Sequence, residues 1–229
     1  MAPLGLAPLA GVVTPIRVLI VDDDALVRAG LSMILDATED VRVVAEVADG
    51  SEVLPAVDAY APDVVLMDIR MPRMDGLAAT EALTARDTAP EIIVLTTFDA
   101  DEYVLRALRS GACGFLLKDT PPADIVQAIR LVVAGEAMLS PGVTRRLIGH
   151  VAETGAASRR TNARELLGRL TDREREVAVA IGRGSSNAEI AEELFMSVAT
   201  VKAHVTRLLT KLEVANRVQI ALLAHDAGD

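Results

Sequence analysis

The chain has 229 residues, of which 51% are hydrophobic and 2% aromatic, so it can build one large or two modest aliphatic cores. Its net charge of −10 argues against nucleic-acid binding through the surface as a whole, so any such activity must rest on a local basic patch. The single cysteine, Cys113, excludes an internal disulfide and fits a reducing compartment, and the three histidines show no metal-ligand spacing.

The start of the chain, residues 1–15, is apolar but rich in Pro, Gly and Ala, and it lacks the basic region that begins a signal peptide. We expect it to be a disordered leader. No apolar run approaches the ~20 residues that a membrane helix needs, so we expect a cytoplasmic protein with no membrane partner.

From residue 16 to 136, short apolar runs alternate with helical patterns. The predicted strands cover 17–21, 41–47, 64–67, 92–97 and 114–118, and the predicted helices cover 25–35, 51–58, 76–85, 99–110 and 121–134. This alternation is typical of βαβ units, so we predict an α/β fold with a doubly wound, five-stranded parallel sheet.

Polar residues end four of the five predicted strands: Asp22 and Asp23, Asp68, Thr96, and Lys118. In such a sheet they share the edge where ligands bind. Clustered carboxylates need a cation, and oxygen ligands suit Mg²⁺; one carboxylate can then take a phosphoryl group as a nucleophile. The alternative is a structural acid cluster paired with Lys118. It is disfavoured because all five groups lie at strand ends where phosphoryl transfer would need them.

Residues 135–163 are predicted to connect two domains. A short helix is expected over 143–151, and 152–163 is rich in Gly, Ala, Ser and Thr, which favours a flexible connector. We therefore divide the chain into a leader (1–15), a first domain (16–136), a linker with a short helix (137–165) and a second domain (166–229).

Four short helices are predicted in the second domain. Thr171 with Glu174 and Ser186 with Glu189 form capping boxes, and Ser197 and Asn216 cap two further helices. Four helices joined by short turns are typical of a helix-turn-helix bundle.

The third of these helices carries one apolar stripe, formed by Val201, Val205, Leu208 and Leu212. Its opposite face is small, polar and basic, which suits entry into the major groove of DNA. The alternative is a solvated face on an ordinary bundle helix, which the helix-turn-helix spacing disfavours. The candidate DNA-binding residues are Thr200, Lys202, Ala203, His204, Thr206, Arg207, Lys211 and Arg217.

Over residues 16–136 the chain resembles the receiver domain of two-component response regulators (CheY-like), in Asp22-Asp23, Asp68, Met71-Pro72-x-Met74-Asp75-Gly76, Thr96 and Lys118. The resemblance implies that Asp68 is the phosphoacceptor and that Thr96 and Lys118 contact the phosphoryl group. It implies Mg²⁺ or Mn²⁺ held by Asp23, Asp68 and the backbone carbonyl of Arg70, with Asp22 binding the ion through water. Phe115 matches the switch aromatic that moves with Thr96, and Asp24 stands where many relatives carry His.

Over residues 166–226 the chain resembles the LuxR-type helix-turn-helix, in Leu170-Thr171-x-Arg173-Glu174, Ser186-Asn187-x-Glu189-Ile190-Ala191 and Thr200-Val201-Lys202-x-His204-Val205. The two modules together mark the NarL/FixJ class. The resemblance implies a transcriptional regulator that a sensor histidine kinase phosphorylates and that binds half-sites in double-stranded promoter DNA as a homodimer. Thr206 occupies a position that is often basic in this class.

Two alternatives have different chemistry. A phosphatase or mutase that uses an aspartyl phosphate is disfavoured because Arg70 stands where a D-x-D pair has its second Asp, so we expect only self-phosphorylation and slow self-dephosphorylation. A binding protein that works without phosphorylation is disfavoured by the complete acidic set.

Phe98, two residues after Thr96, is predicted to slow hydrolysis of the acyl phosphate, because it excludes water and has no hydrogen-bond donor or acceptor.

Overall fold

The computed structural model describes residues 14–86, 88–97, 101–139 and 156–228. Nearly all of the predicted leader, the helix predicted over 143–151 and Phe98 lie outside the described residues.

The N-terminal domain is a parallel sheet with the strand order β2-β1-β3-β4-β5-β6, which confirms the predicted fold class. A sixth strand of two residues extends the five that were predicted. The elements are β1 (Ile16–Val21), α1 (Ala25–Asp36), β2 (Val41–Val47), a 3₁₀ turn (Gly50–Glu52), α2 (Val53–Tyr60), β3 (Val64–Met67), α3 (Gly76–Thr84), β4 (Glu91–Thr96), α4 (Asp101–Arg109), β5 (Gly114–Leu117), α5 (Pro122–Val133) and β6 (Met138–Leu139).

Strand β3 lies at the centre of this domain and is buried along its whole length. Its side chains alternate between two cores: Val65 and Met67 pack on one face of the sheet, and Val64 and Leu66 on the other. A strand covered on both faces has no polar side, which explains why the sequence reads there as an unbroken apolar run.

The C-terminal domain is a bundle of helices α6 (Ala156–Gly168), α7 (Asp172–Gly182), α8 (Asn187–Glu193), α9 (Val198–Leu212) and α10 (Arg217–Ala227). Both predicted capping boxes are present, at the starts of α7 and α8. The predicted apolar stripe of α9 is buried, so this helix packs on the bundle through the expected face. No helix among the described residues is both long and apolar enough to cross a membrane.

Helix α6 differs from the sequence prediction, which assigned 152–163 to a flexible connector. The structure has a helix from Ala156, and its buried Ala163 and Leu167 belong to the bundle core together with Leu170. Arg164 Nε also donates to the carbonyl of Ala227 at the end of α10. Among the side chains that the structure describes, the apolar residues of α6 that pack on the core begin only at Ala163, the last residue of the predicted connector. The composition of 152–163 therefore gave no helical signal. The domain boundaries as such stay predictions.

The two domains touch where α10 begins. Asn216 Nδ2 donates to the carbonyls of Leu108 and Ala112, each at 2.8 Å, and Gln219 Nε2 donates to Leu108 at 2.7 Å. Val218 is buried among the side chains that cover one face of the sheet. The start of α10 is therefore anchored on the end of α4 and on the turn that follows it.

Candidate functional site

The pairing of β1 with β3 sets the positions of the first carboxylates. Val21 pairs with Met67, and the Asp68 N–H donates to the Val21 carbonyl at 2.8 Å. The residues that follow the two strands, Asp22 and Asp68, therefore leave the sheet side by side at its carboxyl edge.

Three carboxylates meet at this edge. Oxygen atoms of Asp22, Asp23 and Asp68 lie within 4.8 Å of one another. Asp22 and Asp68 are only 2% and 6% exposed, whereas Asp23 is exposed. Lys118, which follows β5, places Nζ 2.5 Å from Asp22 Oδ2 and 3.0 Å from Asp68 Oδ2. The ammonium group thus bridges the two buried acids.

Burial and the Lys118 ammonium group act in opposite directions on the pKa of Asp68. Burial raises the pKa of Asp68 above its ordinary value, and the hydrogen bond and charge of Lys118 only partly offset this. Burial also acts to lower the pKa of Lys118, but its hydrogen bonds to Asp22 and Asp68 outweigh that effect and raise it. The site therefore favours added positive charge.

The cluster suits a hard divalent cation. All three side chains offer carboxylate oxygens, the ligand type that Mg²⁺ prefers, and they converge from the ends of the neighbouring strands β1 and β3. Asp24, the next acidic residue, is not a candidate ligand, because its carboxylate caps α1 by accepting from the Leu26 N–H at 2.8 Å. Among the described residues the candidate ligands are therefore Asp22, Asp23 and Asp68.

The fourth and fifth strands bring the other predicted residues to the same edge. Thr96 is buried at the end of β4, and the Lys118 N–H donates to its carbonyl at 2.9 Å. Phe115 lies fully buried within β5. Arg70 is exposed in the loop after Asp68. The structure therefore gathers the predicted polar groups, with Phe115 inside the sheet behind them.

Two features beside the cluster were missed by the sequence analysis. Arg28 Nη1 donates to the backbone carbonyl of Asp22 at 2.6 Å, from one turn into α1. A groove of about 330 Å³ opens beside the carboxylates, and Tyr103 of α4 lines it together with Asp23 and Asp75. The only sequence signal for the Arg28 contact is a charged residue on the half-buried side of α1. No local sequence signal indicates that Tyr103 lines the groove.

On α9, most of the predicted DNA-binding residues form one exposed surface. The exposed members are Thr200, Lys202, Ala203, Thr206, Arg207 and Lys211, while His204 is half-buried. Lys211 Nζ also lies 2.7 Å from Glu174 Oε2. This surface has the small and basic character that a major groove accepts.

Arg217 departs from that surface. Its side chain is 9% exposed, and Nη1 lies 2.6 Å from Asn187 Oδ1 and 3.5 Å from Glu136 Oε2, while Nη2 donates to the Ser185 carbonyl. Burial lowers the pKa of its guanidinium from the ordinary value. The structure therefore does not bring Arg217 together with the other predicted DNA-binding residues.

A cleft of about 210 Å³ separates α9 from the N-terminal domain. Lys202 and Thr206 line it from α9, and Glu91 and Glu136 line it from the other side. One edge of the predicted DNA-binding surface thus faces acidic groups of the same chain.

Two family models match the chain: "Response regulator receiver domain" at residues 18–130, and "Bacterial regulatory proteins, luxR family" at residues 168–224. The transcriptional regulatory protein LiaR of Bacillus subtilis is 40% identical over 210 residues, which cover 92% of this chain and 97% of that protein. The oxygen regulatory protein NreC of Staphylococcus epidermidis is 37% identical over 205 residues, or 89% and 94% of the two chains. Among solved structures, the response regulator ChrA of a heme-sensing two-component system is 37% identical, with a TM-score of 0.52 over 92% of this chain and 96% of that one.

Proposed function

Because the chain belongs to the NarL/FixJ-class response regulators, which are phosphorylation-responsive transcriptional regulators, we propose that Asp68 accepts the phosphoryl group and that a sensor histidine kinase supplies it. The observation that carries the proposal is the bridge from Lys118 Nζ to Asp22 and Asp68 within the carboxylate cluster. We therefore expect the protein to act in the cytoplasm, where it would meet both DNA and the kinase domain.

The transfer needs a nucleophile and compensation of charge. A carboxylate oxygen of Asp68 forms the new bond to phosphorus, and the bond from phosphorus to the donor breaks, which leaves an acyl phosphate. Lys118 neutralises charge on the transferred oxygens, and the Thr96 hydroxyl donates to one of them. Asp23, Asp68 and the Arg70 carbonyl would hold Mg²⁺ directly and Asp22 through water, and the ion would supply further positive charge there.

The output is DNA binding by a homodimer on paired half-sites. The exposed surface of α9 supports it, because Lys202 and Arg207 can meet phosphates while Ala203 and Thr206 allow close approach. In the arrangement described, however, one edge of this surface faces the cleft, and the ion pair of Arg217 with Glu136 helps to hold this domain against the N-terminal one.

The switch connects these two sites. Thr96 moves toward the phosphoryl group and Phe115 follows it, which repacks the region around β4 and β5. Asn216 contacts the turn before β5 through Ala112, and Gln219 contacts the end of α4 through Leu108, so the change weakens the domain contact and favours the dimer.

The test is labelling with acetyl phosphate and Mg²⁺, followed by intact-mass analysis and sedimentation. We expect wild type to gain one phosphoryl group and to shift toward a dimer, and Asp68→Asn to do neither. Equal labelling of the two proteins would refute Asp68 as the acceptor, and an unchanged sedimentation profile with unchanged DNA affinity would refute the switch.

A further inference from the structure

The loop that follows Asp68 runs through residues 69–75 to the start of α3, and the fold fixes both of its ends. The Gly76 N–H donates to the Ile69 carbonyl at 2.9 Å. A Cβ added at Gly76 would lie 1.9 Å from the Asp68 carbonyl oxygen, so only glycine fits there. Asp75 caps α3 by accepting from the Ala78 N–H at 2.7 Å.

The middle of this loop is held from a different element by Asp49, which follows β2 and is 1% exposed. Asp49 Oδ2 accepts from the Arg73 N–H at 2.9 Å, across 24 residues of chain. Its Oδ1 accepts from the N–H of Ser51 at 3.0 Å and from the Ser51 hydroxyl at 2.6 Å. The Ser51 hydroxyl, together with the other donors, holds the pKa of this carboxyl well below its ordinary value. One buried carboxylate therefore ties the turn after β2 to the loop after β3.

Gly50 strengthens the same connection. Its N–H donates to the Met74 carbonyl at 3.2 Å, and a Cβ at this position would lie 2.6 Å from that carbonyl oxygen. The two backbones therefore run in direct contact beside Asp49, and a side chain at Gly50 would push the loop away.

We infer that Asp49 is a positioning residue for the metal site, which holds the loop so that the Arg70 carbonyl faces the carboxylates of Asp23 and Asp68. This inference rests on the proposed function, since the Arg70 carbonyl is a ligand only there. Arg73 lies three residues beyond Arg70, within a loop anchored at both ends, so a fixed Arg73 N–H limits where the Arg70 carbonyl can lie.

The chemistry of the anchor predicts what an amide in its place would do. Asp49 accepts three hydrogen bonds with its two carboxylate oxygens, and its Oδ1 also lies 3.4 Å from Arg73 Nε. Asparagine has one acceptor oxygen and would aim an NH₂ donor at either Ser51 or the Arg73 N–H. Asp49→Asn should therefore free the loop while it changes the size of the side chain little.

The experiment is a Mg²⁺ titration of the full-length protein without phosphodonor, followed by amide NMR shifts. We expect Asp49→Asn to raise the half-saturating Mg²⁺ concentration about tenfold, as loss of a group that orients a ligand does. Arg73→Ala removes the ion pair between Arg73 Nε and Asp49 Oδ1 at 3.4 Å but keeps the main-chain N–H that Asp49 binds, so it should weaken Mg²⁺ binding far less than Asp49→Asn does. Asp40→Asn is the matched control, since it breaks a carboxylate–arginine pair with Arg130 away from this loop and should also change nothing.

Gly50→Ala provides an independent arm, since it keeps the Asp49 carboxylate and displaces the Met74 carbonyl; it should also weaken Mg²⁺ binding. Thermal unfolding without Mg²⁺ identifies any variant that does not fold. If Asp49→Asn does not fold, the Mg²⁺ affinity of Gly50→Ala tests the inference instead. Wild-type Mg²⁺ affinity in Asp49→Asn, or in Gly50→Ala if Asp49→Asn does not fold, would overturn the inference. If wild type binds Mg²⁺ but Asp68 is never labelled, the proposed function fails, while a weakened titration in Asp49→Asn still supports positioning.

Discussion

Lys211 Nζ lies 2.7 Å from Glu174 Oε2 and so joins α9 to the first turn of α7. The same carboxylate oxygen accepts from the Thr171 N–H at 3.0 Å and completes the capping box. The hydrogen bond from Lys211, followed by that from Thr171, lowers the pKa of Glu174 from 4.5 to about 2. One carboxylate therefore serves both a helix cap and the contact between two helices.

The first prediction concerns pH. Because the pKa of Glu174 is lower in the folded protein, its stabilising contribution is complete above its ordinary value of 4.5 and is lost as pH falls through about 2. Lys211 is 42% exposed, so solvent screens the pair, and we expect about 1–2 kcal/mol. Chemical denaturation of wild type and Glu174→Gln at pH 7 and pH 3 measures the difference, which should shrink at the lower pH. Glu165→Gln, which breaks an exposed pair with Arg169, is the control and should show no such trend.

The second prediction separates two effects of Lys118. Removing its ammonium leaves Asp22 and Asp68 without their shared cation, so Mg²⁺ should bind more tightly. The transferred phosphoryl group loses a positive partner, so labelling by acetyl phosphate should slow by about 100-fold. Lys118→Met and the control Lys202→Met are compared by Mg²⁺ titration and by labelling rate. Labelling of Lys118→Met at the wild-type rate would contradict this role.

The third prediction concerns Lys202, which is exposed on α9. If it meets a phosphate, Lys202→Ala weakens binding to every DNA sequence and lowers the slope of log affinity against log salt by about one. A loss confined to specific sites would instead make it a base contact. Arg130→Ala removes the same charge from the other domain and should change neither quantity; an unaltered Lys202→Ala would reject α9 as the DNA-binding helix.

The fourth prediction asks whether Arg217 reaches DNA after the domains part. Glu136→Gln removes the charge that faces Arg217 and should raise the DNA affinity of the unphosphorylated protein. Arg217→Ala breaks the same contact but also removes the candidate DNA contact, so its affinity should fall below that of Glu136→Gln. Fluorescence anisotropy on promoter DNA compares the two. Equal affinities would show that Arg217 contacts only its own chain.

Much of the fold could be predicted because its signals are local. The run from Val64 to Met67 ends directly in Asp68, and neighbouring strands end in step with it, so the cluster follows from the topology. The capping boxes of α7 and α8 are likewise contained within four residues each.

What escaped prediction depends on distant contacts. Strand β6 has two residues, too few for any period, and exists by pairing with β5. The Asp49–Gly50 dipeptide looks like an ordinary turn until the loop after Asp68 packs on it. Arg217 has a sequence position that suits DNA, but Asn187 and Glu136 reach it from 30 and 81 residues away along the chain (217 − 187 and 217 − 136).

The oxygen and the nitrogen of the Asn216 side chain amide make contacts with different parts of the protein. Its Oδ1 caps α10 by accepting from the Gln219 N–H at 2.9 Å, while its Nδ2 holds the carbonyls of Leu108 and Ala112. The helix can thus keep its first turn intact while the domains separate, because separation breaks the hydrogen bonds of the Asn216 nitrogen and leaves the cap at its oxygen in place. Exchanging that NH₂ for an oxygen, as in Asn216→Asp, would retain the cap but point negative charge at two carbonyl oxygens. A single-atom replacement at the start of α10 would then weaken the contact between the two domains without any phosphate.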